Sequence, residues 1–228
     1  MNRLWLIVAL VITFPSLVTA APPAEESSWG REPIEGANSQ RAEIRLNGTW
    51  RFMPAVGPAE SQPTDDWGYI HVPGDWRNTP ARPGLVKQGT GSAWADYSGD
   101  TLSRAWYERV ITIPKEWDGR AVLLDFLRLS TDATVYVNDR KCGTVSWPGN
   151  QGSVDITSAV TPGQSATLRL LVAASDNADN ARALLDRPDP QALSYKSQLE
   201  SKGLIGEVVL RSRPKGPHIR DVFVQTST

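Results

Sequence analysis

Apolar residues recurring at every second position, in short runs parted by turn formers, constrain this chain more than any other feature. Tyr107/Arg109/Ile111/Ile113, Val122/Leu124/Phe126, Ala133/Val135/Val137, Val154/Ile156, Leu168/Leu170/Val172, Val208/Leu210 and Val222/Val224 all alternate in this way. Successive side chains of an extended backbone point to opposite faces, so period two marks half-buried strands. Between the runs stand Pro114 with Asp118-Gly119, Asn138-Asp139, Pro148-Gly149-Asn150, Pro162-Gly163 and the stretch from Pro214 to Pro217. These residues supply the fixed or positive φ that tight turns need. Many short strands joined by turns, with no long helical stretch between them, predict an all-β antiparallel sandwich and argue against a parallel α/β sheet. Two long segments break the pattern: residues 79–100, rich in Gly, Ser and Pro, and residues 178–202, of mixed helical propensity and interrupted by Pro188 and Pro190. Loops on a rigid sandwich are where binding residues gather.

Ahead of the first strand the chain has a different character. Met1 to Arg3 give a cationic start, Leu4 to Val18 are almost wholly apolar, and Val18-Thr19-Ala20 has the small-x-small form of a cleavage site. The expected organisation is a signal peptide over 1–20, a Pro/Ser/Glu-containing tether over 21–42 and one domain over 43–228. The apolar run is shorter than the ~20 residues a membrane span needs. A secreted or periplasmic protein with no membrane association after cleavage is therefore expected.

Composition narrows the function. With 24 Lys and Arg against 25 Asp and Glu, the chain has no basic surplus with which to bind nucleic acid. A lone Cys142 and two histidines, His71 and His218, offer neither a disulfide framework nor a zinc pattern. Asp176-Asn177-Ala178-Asp179-Asn180 misses the calcium-loop spacing, because Ala178 falls on a ligand position. An Asx-rich turn is the expected reading there, and no cofactor or metal is expected. Asp65-Asp66 reads as a solvated turn rather than a catalytic pair. Sugar recognition asks for flat aromatic faces and planar polar side chains. Trp50 and Trp106 fall in or beside strands and read as core, while Trp76 and Trp117 stand beside turns and read as closing the sandwich ends. Trp94 and Tyr97 in the Gly/Ser loop, and Trp147 before Pro148, have no strand period to bury them. These three are the candidate stacking residues, with Asp176 and Asn177 as candidate hydrogen-bonding partners.

The order of motifs resembles a known family. Leu46-Asn47-Gly48-Thr49-Trp50-Arg51-Phe52, Val72-Pro73-Gly74-Asp75-Trp76 and Trp106-Tyr107-Glu108-Arg109-Val110-Ile111-Thr112-Ile113-Pro114 are similar to the opening of the sugar-binding domain of glycoside hydrolase family 2, which includes β-galactosidases, β-glucuronidases and β-mannosidases. Val135-Tyr136-Val137-Asn138-Asp139 with Gly143, Val154-Asp155-Ile156-Thr157, Gly203 to Leu210, and Ile219 to Val224 continue the resemblance in order. It implies a jelly-roll sandwich like that of galactose-binding domains. It also implies an immunoglobulin-like domain and a catalytic (β/α)₈ barrel with two glutamates beyond the stretch resembled, so that this chain is expected to be inactive alone. Ser175-Asp176, with Asn177 beside it, matches a Ser-Asp that in some family members helps hold the terminal sugar. Gly203-Leu204-Ile205-Gly206 departs from the family's Gly-Ile-Trp/Phe-Arg by lacking both the aromatic and the arginine.

Three readings stand at this point. The chain is a non-catalytic sugar-binding domain of a truncated or split glycosidase, whose partners are a β-glycoside or polysaccharide and the missing glycosidase domains. Alternatively it is a free-standing carbohydrate-binding module, or a protein-docking sandwich with no sugar ligand.

Overall fold

The computed structural model describes residues 34–35, 41–55, 62–80, 83–146, 151–186, 199–216 and 224. The expected signal peptide, most of the tether, and Trp147 lie outside the described residues. The strands are β1 (Ile34–Glu35), β2 (Ala42–Arg45), β3 (Gly48–Pro54), β4 (Gly68–Val72), β5 (Leu85–Lys87), β6 (Arg104–Thr112), β7 (Arg120–Phe126), β8 (Leu129–Ser130), β9 (Asp132–Val137), β10 (Arg140–Val145), β11 (Gly152–Asp155) and β12 (Ser165–Ala173). One α-helix, α1 (Ala178–Asp186), precedes β13 (Gly203–Leu204) and β14 (Val208–Pro214). Among the described residues these form a five-stranded sheet, β1-β2-β14-β7-β11, a seven-stranded sheet, β10-β9-β12-β6-β3-β4-β5, and the short pair β13-β8. All pairings are antiparallel. The protein is an all-β sandwich.

Alternation builds the core. Val122, Leu124 and Phe126 of β7 and Val208 and Leu210 of β14 face inward from the smaller sheet. Leu168, Leu170 and Val172 of β12 and Tyr107 and Ile111 of β6 meet them from the larger one. Trp50, Trp76 and Trp117 are each at most 1% exposed, so their rings lie inside the sandwich. Arg109 occupies an inward position of β6 and is 1% exposed. Its Nη1 donates to the carbonyls of Leu46 and Asn47 at 3.1 Å, and its guanidinium lies 5.6 Å from the Trp50 ring centroid. Burial lowers its pKa to about 10.

The larger sheet is buried on both faces over part of its width. Trp106 and Leu171, which point away from the main core, pack beneath Leu184 and Leu185 of α1. This explains why β6 and β12 depart from strict alternation at these positions. Glu108 also faces this side, 4% exposed, and accepts from Arg51 at 2.8 Å and Arg169 at 2.6 Å. Hairpin β9-β10 turns on Asn138 and Asp139, both at positive φ (47° and 66°), the turn geometry whose twist matches flanking strands. Of the run Val222/Val224, Val224 alone is described, and it is exposed and outside any strand.

Candidate functional site: one sandwich end and one sheet groove

Three of the motifs quoted above meet in one buried junction. The backbone N–H of Gly74 donates to Leu204 O at 2.9 Å and that of Trp76 to Lys202 O at 3.2 Å. Trp76 Nε1 donates to Tyr107 Oη at 2.5 Å. Gly203 passes over both rings with φ +102°, and a Cβ there would lie 2.4 Å from Trp76 Nε1 and 2.5 Å from Tyr107 Oη. Only glycine fits a positive φ at so close an approach. Asp75 is fully buried and accepts from the Arg77 backbone N–H at 3.0 Å. Lys202 directs Nζ onto the carbonyls of Asp100 at 2.5 Å and Leu102 at 3.2 Å. Burial lowers the Lys202 pKa and raises that of Tyr107.

The structure corrects the expectation for Trp94. A short 3₁₀ turn, Ser92–Trp94, carries the ring inward to 5% exposure, with its centroid 5.9 Å from Phe52 and 5.3 Å from Tyr97. Its Nε1 donates to Asp66 O at 2.9 Å. A ring held this way presents no open face for a sugar. Asp66 itself does more than a solvated turn residue, since its carboxylate accepts the backbone N–H groups of Thr90 (2.8 Å) and Gly91 (2.7 Å) and pins the loop. Tyr97 is half-buried and donates its hydroxyl to Trp76 O at 2.7 Å. It borders a cleft of ≈ 170 Å³ together with Ser92, Asp96, Ser98 and Thr101. Burial, with Asp75 nearby, pushes its pKa up.

Asn177 is the N-cap of α1. Its Oδ1 accepts from the N–H groups of Asp179 (2.9 Å) and Asn180 (3.0 Å), satisfying donors a helix start leaves open. Its own N–H donates to Ser175 Oγ at 3.2 Å. Asp176 is exposed and lies within electrostatic reach of Lys202, as does Asp75, which in turn acts on Tyr97. Tyr97 borders the junction through its bond to Trp76 O, whereas Trp147 lies outside the described residues. Cys142 is half-buried, and burial raises its thiol pKa, the opposite of an activated nucleophile.

A larger concavity lies elsewhere, on the outer face of the five-stranded sheet. It has a volume of ≈ 430 Å³ and is lined by outward side chains of β7, β11 and β14 together with Arg41 and Gln151. Leu123 and Leu127 give it apolar floor, and Asp125, Ser153, Arg211 and Arg213 give it polar groups. Arg211 is held from both sides, its Nε donating to Glu43 at 3.1 Å and its Nη1 to Asp125 Oδ2 at 2.7 Å. In sequence, the Val208/Leu210 alternation carried on along the strand places Arg211 and Arg213 on the opposite, outer face. Nothing in one strand's alternation reveals that the face is concave, because that depends on how neighbouring strands twist.

No protein-family model and no curated protein matches the chain in sequence. Solved structures do match in shape. The Lactobacillus rhamnosus β-glucuronidase aligns with TM-score 0.58 and 21% identity, over 78% of this chain and 30% of that one. The Ruminococcus gnavus β-glucuronidase aligns with TM-score 0.57 and 17% identity, over 78% and 29%. The Faecalibacterium prausnitzii β-glucuronidase aligns with TM-score 0.52 and 22% identity, over 77% and 32%. The chain spans about three tenths of the length of these enzymes, and its fold is that of a portion of β-glucuronidases.

Proposed function

We propose that this chain is a secreted or periplasmic, non-catalytic carbohydrate-binding sandwich of the kind found at the start of family 2 β-glycosidases, working alongside catalytic domains of such an enzyme. The observation that carries this reading is the likeness to one portion of several β-glucuronidases, over more than three quarters of this chain. The motif order in the sequence points to the same family. The groove supports a binding role rather than hydrolysis. Glycosidic hydrolysis usually needs two carboxyl groups flanking the bond, and among the described residues that line the groove Asp125 is the sole acid.

The test pairs two assays on the purified chain. Retention on immobilised polysaccharides in affinity electrophoresis is expected, with no chromophore release from aryl β-glucuronide, β-galactoside or β-mannoside. Turnover that follows the protein through purification and vanishes on mutating an acid would contradict the non-catalytic role. Absence of retardation on every glycan would contradict sugar binding.

A further inference from the structure

The geometry points to an acidic-sugar site: the groove on the outer face of the five-stranded sheet takes a short uronate-bearing oligosaccharide, its carboxylate on Arg213 and its hydroxyls on Asp125, Gln151 and Ser153. This deepens the carbohydrate reading above and rests on it.

Shape comes first. From the Leu127 and Gln151 end to the Arg213 and Arg41 end the groove follows β7 and β14, where Asp125 pairs with Val209, Leu123 with Arg211 and Ala121 with Arg213. Six residue steps at ~3.4 Å make it about 20 Å long, a length suited to a chain of sugars rather than a single ring. Leu123 and Leu127 offer apolar surface for the C–H face of a pyranose.

The polar groups then choose the sugar. Arg213 is half-buried, and its guanidinium has no hydrogen bond or ion pair among the described residues. A planar guanidinium fork at a groove end matches a carboxylate, which it grips with two parallel N–H bonds. Asp125 is 13% exposed; Arg211 occupies its Oδ2, and its Oδ1 is buried without a donor. A buried acceptor left open is costly, and a sugar hydroxyl is a donor suited to it. Gln151 and Ser153 are exposed, and Ser153 stands opposite Asp125 in the β11-β7 ladder. A densely sulfated chain fits less well. Asp125 lies in the floor, Glu43 and Asp125 already hold Arg211, and one uncommitted guanidinium matches sparse negative charge.

Calorimetric titration of the full chain tests this with a hyaluronan hexasaccharide, an oligogalacturonate of similar length and its carboxyl-reduced form, cellohexaose and a heparin hexasaccharide. The two uronates are expected to bind, more weakly as salt rises, and carboxyl reduction to cost about tenfold or more in Kd. Arg213→Gln is expected to cause a similar loss with no change in thermal midpoint. Ser153→Trp, which fills the groove, is expected to abolish binding. Equal affinity for cellohexaose, or preference for the heparin fragment, overturns the uronate assignment and leaves sugar binding standing. Uronate binding untouched by either substitution moves the site off this groove, with the same consequence. If none of the five probes binds, both the groove proposal and the carbohydrate reading fall.

Discussion

Trp94 and Tyr97 show how neighbours in space overrule neighbours in sequence. A Gly/Ser-rich stretch gives neither residue a strand period, so the sequence offers them as exposed platforms, yet the 3₁₀ turn lays Trp94 on Phe52. Trp94→Ala should therefore cost about 3–5 kcal/mol, read as a lower denaturant midpoint. An unchanged midpoint with lost sugar affinity would return the ring to a binding role. The buried phenols make a second prediction. Tyr97 and Tyr107 keep their protons in the folded state well above the ordinary value of about 10, at which the unfolded chain releases them. The folded state then holds more protons, so stability falls as pH rises past 10. Tyr97→Phe should lose about 1 kcal/mol at neutral pH with its bond to Trp76 O, and should decline less steeply in alkali. Denaturant titrations on either side of pH 10 read both effects, and equal alkaline slopes for the two proteins would refute the linkage.

At the level of elements, the turn residues Asn138 and Asp139 and the inward positions of β7, β9, β12 and β14 were legible in the sequence, because alternation and turn chemistry are local. The start of α1 was only half legible. Asx residues were expected to form a turn, and Asn177 instead uses its side chain to cap a helix whose Leu184 and Leu185 cover the back of the larger sheet. Asn177→Ala should destabilise by about 0.5–2 kcal/mol while Asn177→Asp should not; thermal melts separate the two, and equal melting of all three proteins would deny the cap. The motifs that carried the family resemblance act together. Pro73 to Trp76, Tyr107 and Gly203-Leu204 build one junction of backbone pairing and buried rings. Gly203→Ala should accordingly cost more than the roughly 1–3 kcal/mol of backbone strain alone, because its methyl also meets Trp76 and Tyr107. A soluble, equally stable variant would show that the junction tolerates rearrangement.

For the whole molecule, two sheets with their inner faces fully used leave the outer face of the smaller sheet as the place where shape and unspent polar groups coincide. The sequence exposed the fold because burial is written into alternation. It hid the groove because Arg213, Asp125 and Ser153 are contributed by three strands far apart in the chain, joined only by the register of β14, β7 and β11. The loop aromatics drew attention because they lacked a burial pattern, whereas the groove residues looked like ordinary solvent-facing strand positions. Backbone amide NMR of the isotope-labelled chain during titration with the oligogalacturonate tests the carbohydrate-binding role most directly. Predicted are shifts confined to one contiguous patch around Leu123, Asp125, Ser153 and Arg213, with the loop around Tyr97 unmoved. No shift anywhere with this ligand or with a neutral oligosaccharide would contradict the role.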